Sequence, residues 1–210
     1  MKSDPIRDAA SAIGAGGLII LPTDTVYGLA SRPDDPIATG RIFDAKARAR
    51  ELELPVLCAT EAQAREVAMF DHRADALALA SWPGGLTLVL ARAEAARGWD
   101  LGGDPETVGV RVPSHPLTLA VLALTGPMAV TSANRSGQPP AATCDELVDT
   151  FGDLVDMYLC SADPLSGAPS TVVDLAHGPA TIIREGGISR DQVRKLLPPG
   201  DSLLDSRPSS

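Results

Sequence analysis

Short apolar runs separated by polar turns recur along the chain. Leu18-Ile19-Ile20-Leu21 is continuously apolar, the pattern of a strand buried on both faces. Further β-like runs fall at 25–30, 55–59, 86–91, 107–112, 127–131, 155–160, 170–175 and 180–184, and several, such as "STVVDL" and "TIIRE", are rich in β-branched residues. Helix signals lie between them. Asp4-Pro5 predicts an N-cap and first residue of a helix running through Ile13 and closed by Gly16-Gly17. Asp35-Pro36 opens a second helix carrying Ile37, Ile42 and Phe43. Thr60-x-x-Gln63, Thr143-x-x-Glu146 and Ser189-x-x-Gln192 match the capping-box pattern. Pro116 and Gly126 bracket "PLTLAVLALTG" as another helix. Strands and helices interleave without a strict βαβ rhythm. The expectation is one α/β domain over residues 1–197, with helices packed on a twisted, mixed β-sheet. Residues 92–106 read as an exposed loop, and 198–210 have the composition of a flexible tail.

Composition narrows this only a little. A hydrophobic fraction of 44% with 3% aromatics implies an aliphatic core. No apolar stretch approaches the ~18 residues a membrane span requires, and the N-terminus lacks a signal-peptide apolar region, so no membrane association is expected. Cys58, Cys144 and Cys160 are odd in number and far apart. They fit neither a disulfide framework nor a zinc motif, which favours a reducing cytoplasm. The net charge of −9 argues against broad nucleic-acid binding. Against that background "RIFDAKARAR" concentrates Arg41, Lys46, Arg48 and Arg50 beside a single Asp44.

Four segments carry polar groups that packing alone does not require. Thr23-Asp24-Thr25 with Tyr27 interrupts an apolar stretch; the alternative is a turn whose side chains satisfy local backbone donors. Lys46-x-Arg48-x-Arg50 could hold a polyphosphate whether extended or helical, or could be a solvated helix end. "VTSANRSGQPP" offers Ser132, Asn134, Arg135 and Ser136 with glycine-freed amides, suited to a phosphate or ribose, or to an ordinary turn. Arg111 in "VGVRVP" and Arg184 in "TIIREGG" sit on apolar strands, where a guanidinium needs an acidic partner (Glu185 for Arg184) or a ligand. Ser170-Thr171 is either a strand start or a pair of ligand hydroxyls. His72, His115 and His177 show no metal-ligand spacing, and no G-x-S-x-G, Walker A or G-x-G-x-x-G sequence occurs.

In order, "LPTDTVYGLA", "IFDAKAR", "WPGGLTLVL", "VGVRVP", "TSANRSG", "PSTVVDL" and "IIREGGIS" resemble the successive signatures of the YrdC-like threonylcarbamoyl-AMP synthases, in their short single-domain form. The resemblance runs from about Gly17 to Ser189. It implies a YrdC-like domain with a basic concave surface. It also implies a nucleotidyltransferase that joins L-threonine, bicarbonate or CO2, and ATP into threonylcarbamoyl-AMP, releasing pyrophosphate. A separate tRNA-modifying complex then uses the product to make threonylcarbamoyladenosine at position 37 of tRNA. By the same resemblance Thr23, Thr25, Tyr27, Arg111, Val130 and Ser170 would form the threonine pocket. Lys46, Arg48, Thr107, Ser132, Asn134 and Arg184 would surround ATP, with Lys46 and Arg48 as the catalytic cations. Mg2+ is expected with the triphosphate, and no metal-ligating residue is assigned.

The chain departs from the family pattern in places. Ala49 replaces a proline, "ARELELPV" is about two residues long for its position, and Leu54, Ala59 and Pro140 fall where relatives often carry polar side chains. Arg50 could replace a lost contact. Two alternatives follow: an RNA-binding module on this fold with direct tRNA contact, and a diverged paralogue with altered activity. The scarcity of aromatics counts against the first.

Overall fold

The computed structural model describes residues 4–162, 164–165 and 167–204. In chain order the elements are α1 (Pro5–Gly14), β1 (Ile19–Leu21), β2 (Gly28–Ser31), α2 (Pro36–Lys46), β3 (Val56–Leu57), α3 (Glu61–Val67), α4 (His72–Ser81), β4 (Leu86–Ala91), β5 (Thr107–Arg111), α5 (Pro116–Thr125), β6 (Met128–Ser132), α6 (Cys144–Phe151), β7 (Met157–Tyr158), β8 (Thr171–Asp174), β9 (Ala180–Arg184), α7 (Arg190–Leu196) and β10 (Leu203–Leu204). Short 3-10 turns lie at Glu94–Ala96 and Gly152–Leu154. The strands form one mixed sheet in the order β10-β9-β8-β4-β5-β3-β6-β2-β1-β7. Antiparallel pairs such as β4 with β5 occur beside parallel ones such as β4 with β8. Among the described residues no helix is long and apolar enough to cross a membrane.

The all-apolar β1 run is explained by its two neighbours. Ile19 and Leu21 pack with Ala9 and Ile13 of α1 and Val121 and Leu122 of α5. Leu18 and Ile20 join the larger cluster on the other face, with Ile42 and Phe43 of α2 and Leu77 of α4. Side chains alternate across a strand, so a strand covered on both faces must be apolar at every position.

The helix starts follow their caps. Asp4 accepts from the Ile6 and Arg7 amides, and Asp35 from those of Ile37 and Ala38, with proline at the next position in each case. Thr143 and Ser189 close full capping boxes with Glu146 and Gln192. At α3 the pattern is only half met: Thr60 caps the Gln63 amide, while the Gln63 side chain takes the Ala59 amide instead. α4 was not expected from the sequence; Asp71 caps it through the Arg73 and Ala74 amides.

Several expectations need correction. The run at 25–30 becomes a strand only from Gly28, because the Thr23 hydroxyl captures the Thr25 and Val26 amides and folds 23–26 into a turn. The 92–106 segment is an anchored loop, with Ala96 and Leu101 fully buried and Leu101 O accepting the Leu54 amide at 2.8 Å. The tail does not begin at 198: Leu203–Leu204 adds a short parallel strand to β9, while 205–210 lie outside the described residues. Cys144 and Cys160, read from sequence as unpaired, are joined in a disulfide. The fold brings the start of α6 beside the end of β7, placing their Cα atoms 5.8 Å apart.

Candidate functional site

A cavity of about 660 Å³ opens between the turn at 23–28, the loop at 48–55, the central strands and the 169–184 region. The sheet builds it from distant parts of the chain. Arg111 ends β5, Arg184 ends β9, Ser132 ends β6 and Ser170 immediately precedes β8. Those four side chains line the cavity with Thr23, Thr25, Tyr27, Arg48, Thr107 and Val130. Gly28 lets β6 approach closely: a Cβ there would lie 2.6 Å from Val130 Cγ1.

One wall is a knot of hydroxyls and an arginine. Thr23 and Thr25 share a hydrogen bond of 2.9 Å between their hydroxyls, and Thr23 also donates to Val26 O. The local-turn reading of this segment therefore holds, and the same turn faces the cavity. Arg111 donates from Nε to Gly84 O, from Nη1 to Thr25 Oγ1 and from Nη2 to Asp24 Oδ1. Burial depresses its guanidinium pKa, and the Asp24 carboxylate opposes that shift. Asp24 also accepts the Ser114 amide. Tyr27 is buried, and its hydroxyl accepts from Ser161 N–H at 3.0 Å.

The cationic part comes from other loops. Arg184 donates to Ser170 O and Oγ and does not pair with Glu185, which instead accepts the Arg190 amide. Ser170 Oγ lies 2.9 Å from Thr87 Oγ1. Arg48 is held by the carbonyls of Leu52 and Glu53. Burial is the main cause that lowers both arginines, followed by Arg184 acting on Arg48 and Arg111 acting on Arg184. Like charges this close repel, and an anion between them would relieve that repulsion.

Lys46 is positioned differently from the expectation. It is the last residue of α2, and Ala47 takes a left-handed φ of 49° that turns the chain away. The Lys46-x-Arg48-x-Arg50 stretch is thus neither one strand nor one helix face. Lys46 is 1% exposed, and its Nζ donates to Ser132 O, Asn134 O and Asn134 Oδ1, behind the cavity wall. Asn134 also takes the Ser132 hydroxyl at 2.6 Å and is absent from the lining. Burial, then the charge of Arg48, pulls the Lys46 ammonium down to about 7. Arg50 does not reach the cavity: it pairs with Asp100 at 2.7 Å and stacks over Phe43.

The lining is not uniformly basic. Glu51, Glu53, Asp104 and Asp174 contribute to it, with His177 between Asp104 and Asp174. Glu53 comes from the lengthened loop. Its Oε1 is buried without a hydrogen-bond partner, 3.9 Å from Arg92 Nη2, and burial pushes its carboxyl up to about 8 despite Arg92. Sequence reading missed Glu53, Thr87 and the role of Asp24. Only Asp24 carried a signal, as the charged member of the polar break after β1. Among the described residues no three His, Cys, Asp or Glu side chains converge as a metal site.

A family model for Sua5, YciO and YrdC proteins, described as telomere recombination, matches residues 11–186. A Mycobacterium tuberculosis protein is 37% identical over 198 residues, 93% of this chain and 90% of its own length. A threonylcarbamoyl-AMP synthase from Alkalilimnicola ehrlichii is 34% identical over 178 residues, 82% of this chain and 92% of its own. The crystal structure of Pyrococcus abyssi Sua5 complexed with L-threonine superposes with a TM-score of 0.87 at 33% identity. The overlap takes in 95% of this chain but 58% of that longer one.

Proposed function

The chain belongs to the Sua5/YciO/YrdC family, and from that premise we propose that it is a threonylcarbamoyl-AMP synthase acting in the cytoplasm on L-threonine, bicarbonate or CO2, and ATP. One observation carries the reading: three arginines and a set of hydroxyls from segments up to 161 residues apart (184 − 23) meet in one cavity. That cavity is large enough for an amino acid beside a nucleotide.

Threonine would sit against Thr23, Thr25, Tyr27, Val130 and Ser170. Arg111 has five N–H groups, of which three are committed to protein, leaving two for the substrate carboxylate. ATP would lie along Arg48, Thr107, Ser132 and Arg184. Its phosphate oxygens would compete with the carbonyls of Ser132 and Asn134 for the Lys46 ammonium. Mg2+ enters as part of the nucleotide substrate, its shell filled mainly by phosphate and water oxygens.

The threonine amine adds to CO2, losing a proton, to give an N-carboxylate. A carboxylate oxygen attacks the α-phosphorus in line, and pyrophosphate leaves as the P–O bond to the β-phosphate breaks. Two anions must approach each other, and Lys46, Arg48 and Arg184 offset that repulsion while the walls supply alignment. The product would pass to a tRNA-modifying complex.

The test is pyrophosphate release from purified protein. Release should require threonine, bicarbonate and ATP together, and omitting threonine should abolish it. Release that is indifferent to threonine overturns the reading.

A further inference from the structure

The reaction needs no cysteine, yet Cys144 and Cys160 are joined. Cys144 is the first residue of α6, and Cys160 lies two residues beyond β7. Beyond Cys160, residues 161, 167, 169 and 170 lie at the cavity wall. Ser161 N–H donates to the Tyr27 hydroxyl, and Leu165 N–H donates to Ala142 O at 2.9 Å, tying the same two segments together again. Gly167 lies so close to Thr25 that no Cβ fits, and Pro169 and Ser170 are lining residues. The disulfide is therefore the covalent anchor of a segment that supports the Tyr27 wall.

We propose that Cys144–Cys160 is a reversible redox modification site, a couple reduced by an external dithiol, whose oxidised form holds the Tyr27 wall in place. The consequence for threonine rests on the synthase reading; the redox site itself does not. Exposed disulfides are the labile, regulatory ones more often than buried disulfides are, and Cys160 is exposed. A thiolate of the dithiol attacks the Cys160 sulfur, and the Cys144–Cys160 bond breaks with Cys144 leaving as thiolate. The second thiol of the reductant then displaces Cys160. The protein gains two electrons and two protons, and the dithiol becomes a disulfide. Cys58 stays out of this chemistry: it is buried, and burial raises its thiol to about 12.

The full chain is equilibrated in buffers of graded reduced-to-oxidised dithiothreitol, and thiols are counted after denaturation. Ser161 amide exchange and threonine binding are measured at both extremes. The expected thiol count falls from three to one on oxidation. The Ser161 amide should then exchange about tenfold more slowly, and threonine should bind roughly three- to tenfold more tightly. Cys144→Ser and Cys160→Ser should keep two thiols, with the reduced-state Ser161 exchange and threonine affinity, in every buffer. Three thiols throughout, or equal Ser161 exchange in the two states, overturns the proposal. Equal threonine affinity in both states overturns its link to the pocket. A Ser161 amide that responds while neither state binds threonine upholds the redox site and removes the synthase reading instead.

Discussion

Arg111 Nη2 and Asp24 Oδ1 lie 2.7 Å apart in the cavity wall, with side chains 7% and 16% exposed. The arginine that is proposed to meet a substrate carboxylate already carries a protein carboxylate, so Asp24 both neutralises it and fixes the plane of its fork. Removing either partner alone strands the other charge. Asp24→Ala should destabilise the fold by about 3 kcal/mol, and the double change with Arg111→Ala should cost less than the sum of the single ones. Urea denaturation of the four-member cycle checks this; strict additivity would show that the pair is not coupled.

Glu53 gives the fold a pH dependence. Its carboxyl titrates near 8 in the folded chain against an ordinary 4.5. Between those values the folded state holds a proton that the unfolded state has released. Its contribution to stability is therefore complete below about 4.5 and lost as pH rises through about 8. Glu53→Gln mimics the protonated acid, so the variant should match wild type near pH 5 and exceed it by roughly 1–3 kcal/mol near pH 9. Parallel stability curves for the two proteins would contradict this.

Lys46 titrates near 7, because burial and Arg48 oppose its charge. A triphosphate restores a reason to be charged. At pH 8 nucleotide binding should take up close to one proton, read by calorimetry in buffers of different ionisation enthalpy. Lys46→Arg stays charged throughout and should bind without that uptake. Zero uptake by wild type would place Lys46 outside the nucleotide site.

Gly28 is set by contact with Val130. Gly28→Ala should cost about 1–3 kcal/mol by overpacking and distort the cavity wall, since both residues line it. Val130→Ala removes the clashing methyl, so the double variant should recover much of that loss in thermal unfolding. No recovery would mean that the backbone, not the methyl, is the limit.

What could be read from the chain was local. The apolar β1 run and the Asp4, Asp35, Thr143 and Ser189 caps lie within a few residues of what they control. Arg111, Arg184 and Ser170 stood out because charge and hydroxyl are misplaced on apolar strands. What could not be read was distant or unpatterned. Asp24 meets Arg111 across 87 residues and Arg50 meets Asp100 across 50, so neither pairing leaves a local trace. Glu53 looks like any loop acid until Arg92 comes near its carboxylate and Gly103 packs against it. α4 mixes its faces, with Leu77 fully buried and Leu79 83% exposed, and lacks a proline or a capping box at its start. The cysteines share no recognisable spacing, and only the return of β7 beside α6 unites them.

The strand order has a consequence for how the protein comes into being. β5 is separated from β9 in the sheet by β4 and β8, so the Arg111 and Arg184 ends cannot face each other until nearly the whole described chain has been made. A ribosome extrudes this protein without a working half. Pairings such as β1 with β7 and β4 with β8 join residues far apart in sequence, which slows assembly.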